Sequence, residues 1–308
     1  MKLFLFAMVS VLLCHPMTYA DFAYVTLDFP DAVHTFLGGI DGNVIVGSYS
    51  NSASTYPMHG FTYSGNTFTT IDVPGSRSTV LSDIDGDRMV GYYDTTDQRH
   101  GFVYENGLFT TLDHPLADPQ IFNGTEAHGV SGGKIVGGYY GTAGTRAYIY
   151  DSGNFNALNN PFSSRSAALG IDGDVIVGWY QVSAQSHGFM FDGVNYTSFD
   201  YPSSTSTIPL DVSSNSVVGY YVDASNRTRG FVFDEVNFTT LNEPPALGTQ
   251  FIPNGIDGGR LVGQYQTGSG SGIRYHGFVT VPEPESFVLC LVAALGWTCS
   301  PFRRLTAP

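Results

Sequence analysis

The sequence predicts an all-β chain: a six-bladed β-propeller of four-stranded blades, closed by the N-terminal strand joining the last blade, with a short transmembrane helix at the C-terminus. Three observations predict it. Glycine makes up 37 of the 308 residues, well above the usual share of about 7%. Tyr and Phe are also abundant at 19 and 22, a composition suited to turns and pleated sheets rather than helical bundles. Three short signatures recur six times each, and the chain begins and stops within a repeat rather than between two.

The first signature opens a strand with an aromatic: His59-Gly60-Phe61, His100-Gly101-Phe102, Arg146-Ala147-Tyr148, His187-Gly188-Phe189, Arg229-Gly230-Phe231 and His276-Gly277-Phe278, 41 to 47 residues apart. The second ends a strand at proline: Leu27-Asp28-Phe29-Pro30, Ile71-Asp72-Val73-Pro74, Leu112-Asp113-His114-Pro115, Leu158-Asn159-Asn160-Pro161, Phe199-Asp200-Tyr201-Pro202 and Leu241-Asn242-Glu243-Pro244. The third is an apolar strand running into glycine, as in Ile45-Val46-Gly47 and Ile176-Val177-Gly178. One unit reads as four strands: Val80–Ile84, Arg88–Tyr93, His100–Tyr104 and Leu108–Asp113. Asp85-Gly86 and Asn106-Gly107 supply the positive φ angles of tight hairpins, and Pro115, with no N–H to donate, ends the ladder. That period with four short strands is the period of propeller blades.

The ends fix the closure. Phe22–Asp28 is a fourth strand with no partner before it, and His276–Val281 is a third strand with none after it. Pairing them completes the sixth unit and removes two exposed edges, which an open stack would leave.

Residues 1–20 read as an export signal, with Lys2, the apolar run Leu3–Leu13 and a small-residue cleavage site at Ala20. Residues 21–281 form the propeller, and 282–308 a tail. In the tail Val281-Pro282-Glu283-Pro284 leads into Ser286–Phe302, 17 uncharged residues, and then Arg303-Arg304. That length is the lower limit for a spanning helix, and the arginine pair stays cytoplasmic. The order Pro-Glu-Pro, hydrophobic helix, arginine cluster resembles the PEP-CTERM sorting signal of Gram-negative bacteria over residues 281–304. The resemblance implies processing by an exosortase-type enzyme, transient anchoring in the inner membrane and delivery to the cell surface or an exopolysaccharide matrix. The repeat signatures are similar to the HAF-type extracellular repeat over most of residues 22–281, which implies an exported repeat protein of no settled activity.

Charge and cysteine usage bound the partners. The net charge is −14, so polyanionic nucleic acid is repelled. The three cysteines, Cys14, Cys290 and Cys299, lie in the terminal segments, which excludes a disulfide framework or thiolate metal site from the body. A monomeric propeller without cofactor or metal is expected.

Four side-chain patterns are candidates for chemistry. His59, His100, His187 and His276 recur at one position, where Arg stands in two other repeats; that exchange favours a structural hydrogen bond over metal ligation. The acidic turns at Asp41, Asp85, Asp172 and Asp257 read as hairpins rather than calcium loops, which need six or more oxygens. Glu126 and His128 pair a carboxylate with an imidazole, as acid–base chemistry requires, or else lie in a solvated loop between blades. Tyr49, Tyr93, Tyr140, Tyr180, Tyr221 and Tyr265 read as packing between blades, and their neighbours Tyr92, Tyr139, Trp179 and Tyr220 as stacking faces for a sugar.

Neither a Gly-x-Ser-x-Gly elbow nor a His-Glu-x-x-His helix occurs. The expected function is a non-catalytic interaction scaffold at the bacterial surface, binding exopolysaccharide through a loop face. A polysaccharide hydrolase or lyase is the alternative and requires acidic residues, unequal between blades, to converge on the channel mouth. A passive spacer would lack any concave pocket.

Overall fold

A computed structural model describes residues 22–241 and 250–282 of the chain. The export signal with Ala20, the residues Asn242-Glu243-Pro244, and the tail with Glu283, Pro284, Arg303 and Arg304 lie outside the described residues. Among the described residues no helix is long and apolar enough to cross a membrane.

Among the described residues, twenty-four strands form six antiparallel four-stranded sheets. The first blade runs outward from β2 (His34–Asp41) through β3 (Val44–Ser50) and β4 (His59–Ser64) to β5 (Thr67–Thr70). Four more blades repeat it, with inner strands β6 (Ser78–Asp85), β10 (Thr125–Ser131), β14 (Ser166–Asp172) and β18 (Ser206–Ser213). In the sixth, β22 (Phe251–Asp257), β23 (Arg260–Thr267) and β24 (Arg274–Pro282) come from the end of the described chain, and the outermost strand is β1 (Phe22–Thr26). β1 pairs with β24 from Phe22↔Pro282 to Thr26↔Phe278. Leu27 N then donates to Gly277 O at 2.9 Å. The expected closure is therefore observed.

The recurrent residues have structural work in every blade. Phe61, Phe102, Tyr148, Phe189, Phe231 and Phe278 are completely buried, each contributing about 1.5–3 kcal/mol through its apolar area. The core divides into six clusters, one per junction; Val46 of the first blade, for example, packs on Leu81, Ile84 and Phe102 of the second. The histidines pair with the aspartate of the next signature: His59 Nδ1 with Asp72 at 2.7 Å, His187 with Asp200 at 2.8 Å, and across the closure His276 with Asp28 at 2.7 Å. Where Arg146 and Arg229 replace histidine, Asn159 and Asn242 replace the aspartate. Arg229 instead bonds Asp223 within its own blade.

Neighbouring blades are also joined around the axis by the hairpin turns. Asp41 accepts from Gly86 N, Asp85 from Gly132 N, Ser131 from Gly173 N, Asp172 from Ser214 N, and Asp257 from Gly42 N. The junction of the fifth and sixth blades is bridged by Asp211, which accepts from Ile256 N at 2.8 Å. The acidic turns are hairpins whose carboxylates bind backbone N–H groups of the next blade.

Every inner strand carries one extra residue at the same place. The register slips between Leu37 and Ile40 in β2, Leu81 and Asp83 in β6, and Ala127 and Gly129 in β10, with the same shift in β14, β18 and β22. A bulge reverses which face the following residues occupy. Leu37 and Ile40, an odd number of positions apart, are therefore both buried between blades. The strands approach closely here: a Cβ on Gly170 would lie 2.5 Å from Asp211 Cα.

Two outcomes test the fold. Leu27→Pro removes the N–H that reaches Gly277, so about 2 kcal/mol of stability should go with it, lowering Tm by about 4–8 °C. Limited proteolysis should then release the N-terminal strand; unchanged Tm and protection would refute this account of the closure. His114, buried and stacked on Tyr139 at 3.7 Å, has its pKa lowered from 6.5 to about 4 by desolvation. Because the unfolded imidazole binds its proton first, stability is lost as pH falls from about 6.5 to about 4. His114→Phe, matching Phe29 against Tyr49, should flatten Tm over that range in a melting series.

Candidate functional site

A cavity of about 580 Å³ opens at the end of the channel where the inner strands begin and descends to the bulges. Its rim belongs mainly to the sixth, first and second blades: Tyr275, Tyr56 from the loop after β3, and Tyr92 and Arg99 of the second blade. Its deeper wall takes one bulge residue from each blade: Gly38, Ser82, His128, Leu169, Leu210 and Asn254. Loop length breaks the symmetry. Eight residues separate β3 from β4, whereas only two separate β11 (Lys134–Gly141) from β12 (Gly144–Asp151).

Of the four aromatics predicted to stack on a ligand, Tyr92 lines this cavity. Arg99 lies 4.3 Å over its ring, and desolvation pushes its hydroxyl pKa upward. Trp179 and Tyr220 hold the equivalent positions in the fourth and fifth blades and are half-buried. Tyr139 differs from expectation. In the third blade Gly137 pairs with Tyr148 and Gly138 with Ala147, so Tyr139 falls opposite Arg146. That is the position of Tyr93 opposite His100. Tyr139 is 5% exposed and belongs to the packing row, while Gly138 takes the place matching Tyr92. The ladder between β11 and β12 has no bulge, so Gly138 replaces a residue instead of adding one. Tyr140 moves with it, out of the packing row. The other row members behave as expected, their hydroxyls meeting a fourth-strand hydroxyl, as Tyr180 meets Ser198 at 2.7 Å and Tyr265 meets Thr26 at 2.8 Å.

Glu126 and His128 do not lie in a solvated loop. They are on β10, with Glu126 Oε2 3.3 Å from His128 Nε2. Burial alone would raise the Glu126 pKa, but the His128 hydrogen bond and the Arg99 guanidinium hold it below its ordinary 4.5. Arg99 donates through Nε to Asp94 at 2.8 Å and through Nη1 to Glu126. Its charge is thus shared by two carboxylates of adjacent blades. Glu126 faces Gly138 across the ladder, whereas Phe36, Val80, Ala167, Ile208 and Ile252 fill its position elsewhere.

The bulges add a pair that sequence reasoning missed. The residue after the bulge is Gly39, Asp83, Gly129, Gly170, Asp211 or Gly255, so the two aspartates stand in blades opposite one another on the ring. Asp83 accepts from Val130 N at 2.8 Å; Asp211 accepts from Val212 N and Ile256 N, each at 2.8 Å. Desolvation is the chief cause that pushes Asp83 up to about 7, with Asp85 and Asp41 adding to it. Asp211 is raised well above the ordinary carboxylate value, first by burial and then by Asp83. The signal was present in the sequence as a fourth recurrence, Leu81-Ser82-Asp83-Ile84 beside Pro209-Leu210-Asp211-Val212 and Ala168-Leu169-Gly170-Ile171. Among the described residues, no cluster of three or more His, Cys, Asp or Glu side chains could hold a metal ion.

No protein-family model and no curated protein sequence matches the chain. Solved structures match its fold. A putative TolB from Agrobacterium tumefaciens is 15% identical, with a TM-score of 0.52 over 70% of this chain and 82% of its own. TolB from Acinetobacter baumannii is 11% identical, with a TM-score of 0.52 over 79% of this chain and 65% of its own. The β-propeller domain of the Trilobed protease from Pyrococcus furiosus, described as having an open velcro topology, is 9% identical, with a TM-score of 0.51 over 82% of this chain and 95% of its own. At these identities the likeness is one of fold.

The Arg99 network gives a direct test. Arg99→Gln leaves Glu126 largely buried without its cation, at a cost of about 3 kcal/mol in denaturant titrations near neutral pH. Because the folded Glu126 pKa is depressed, its contribution is present above about pH 4.5 and lost as pH falls through the folded value. The gap between wild type and variant should therefore close in acid; a gap independent of pH would refute the assignment.

Proposed function

We propose that this chain is an exported repeat protein of the bacterial cell surface or exopolysaccharide matrix, a non-catalytic scaffold that binds glycan at the mouth of the propeller channel. The observation that carries the reading is the cavity itself. It breaks the sixfold symmetry, it has aromatic faces at Phe36, Tyr92 and Tyr275, and it has amide groups at Asn254 and Gln264. A volume of about 580 Å³ suits a few sugar rings, within the range of about 300–1,000 Å³ usual for ligand sites. Aromatic faces with a few placed hydrogen-bonding groups are the chemistry that holds a sugar. Exosortase-type processing, transient inner-membrane anchoring and surface delivery belong to the same proposal and rest on the tail motif. The lining argues against a passive spacer.

The hydrolase or lyase reading keeps one specific observation in its favour. Asp83 and Asp211, present in only two blades, line the cavity with their pKa values raised, while Glu126, bonded to the lining residues Arg99 and His128, has its pKa lowered. Divergent carboxylates of that kind are what acid–base chemistry uses.

Retention on exopolysaccharide tests the scaffold. Wild type should be retained and released unaltered, while Tyr275→Ala weakens retention about tenfold, the loss of one aromatic contact of about 1.5 kcal/mol. Failure to be retained on any polysaccharide overturns glycan binding. Shortening of the polysaccharide, abolished by Asp83→Asn, would move the function to the enzyme reading.

A further inference from the structure

The cavity's charge is as uneven as its shape. At its deepest tier two carboxylates, Asp83 and Asp211, come from opposite blades and both line the cavity. Each is fixed by backbone N–H donors, Asp83 by Val130 and Asp211 by Val212 and Ile256. They cannot swing out to solvent without abandoning bonds that join blades two to three and five to six. Arg99 is the one Lys or Arg among the lining residues, and Asp94 and Glu126 already take up its charge. His128 on the same wall is engaged by Glu126. Above this floor stand the rings of Phe36, Tyr56, Tyr92 and Tyr275. Phe36 and Tyr275 lie 5.0 Å apart between centroids and make a continuous aromatic wall.

A neutral sugar reaching this floor returns hydroxyl hydrogen bonds to the two carboxyl groups but no charge to offset theirs. An anionic ligand would be repelled. A cation returns both the carboxylate attraction and the attraction of the ring faces. We infer that the cavity takes an amino-bearing saccharide, its ammonium group seated between Asp83 and Asp211 and its ring against the aromatic wall. This rests on the glycan reading above and adds the charge of the ligand to it.

Binding then carries a proton signature. Burial, and for Asp211 the Asp83 charge as well, favours the neutral carboxyl groups, and Asp41, Asp85 and Asp172 add to the same field. Arg99 on the wall pairs with Asp94 and Glu126, and His128 meets Glu126. An arriving ammonium lets both floor carboxylates ionise, so protons leave the site as the ligand enters.

Calorimetry of the full chain near pH 7 with matched oligomers of glucosamine, N-acetylglucosamine and glucose tests this, with spermidine as a non-saccharide amine. Glucosamine oligomers should bind at least about tenfold tighter than the acetylated ones, the size of one well-placed ion pair. Their heat should change with the ionisation enthalpy of the buffer, reporting proton release from unaltered protein. Asp83→Asn, which keeps an acceptor for Val130 N, and Asp211→Asn should each erase the preference while the melting transition persists. Equal binding of all three oligomers overturns the cationic seat and leaves glycan binding standing. Binding of spermidine alone, with the same aspartate dependence, overturns the saccharide part. No binding by any probe overturns both.

Discussion

The five-residue ladder between β1 and β24 holds the ring shut, and every other feature presumes it. Six sheets around an axis bury their faces only against each other, so an open sixth blade would expose the Val279 and Tyr24 sides of its sheet. Closure by the outermost strand places the two ends of the propeller side by side. The local chemistry supports the ladder from both sides: Asp28 accepts from His276 and from Gly277 N, and Tyr265 meets Thr26. The bonds that define an ordinary blade in the middle of the chain are here made across more than two hundred residues.

Closure brings the inner strands to the axis, and the bulge determines what they present there. By inserting one residue, each inner strand buries an aliphatic side chain on both sides of the bulge and turns the extra residue into the channel. Four of the six following positions are glycine because backbone from the next blade occupies the space of a Cβ, as Asp211 does at Gly170. The two aspartates sit where the sheet admits side chains, and the hydrogen bonds they accept there hold adjacent blades together. The carboxyl groups that join the blades therefore also line the cavity, and their backbone hydrogen bonds are why acidic side chains persist in a poorly solvated place.

Much of this was legible in the chain itself. His59 and Asp72, His276 and Asp28 are thirteen residues apart or at opposite ends, yet each pair follows from two signatures recurring in phase. The Asp-Gly turns were correctly read as hairpins, and the recurrent tyrosines, apart from Tyr140, as packing. The place of Tyr139 is not legible in the order of residues, because only the hydrogen-bond register shows that Gly138 stands where Tyr92 stands in the second blade. Glu126 looked like loop because the connection from Leu112 to Thr125 is long and polar, while the residue that buries it, Arg99, comes from the preceding blade.

What the sequence determined by itself was the periodic part: six units, four strands in each, the closure, and the residues that fill the spaces between sheets. Periodicity writes those features many times over, so each copy confirms the others. Tertiary structure alone decided the part that departs from the period. Tyr56, Tyr92, Tyr275, Asp83 and Asp211 lie far apart in the chain and meet only because rotation about one axis brings six unequal positions to a common centre. A residue's distance from that axis depends on strand register and bulge placement, and neither is written in the identity of the residue.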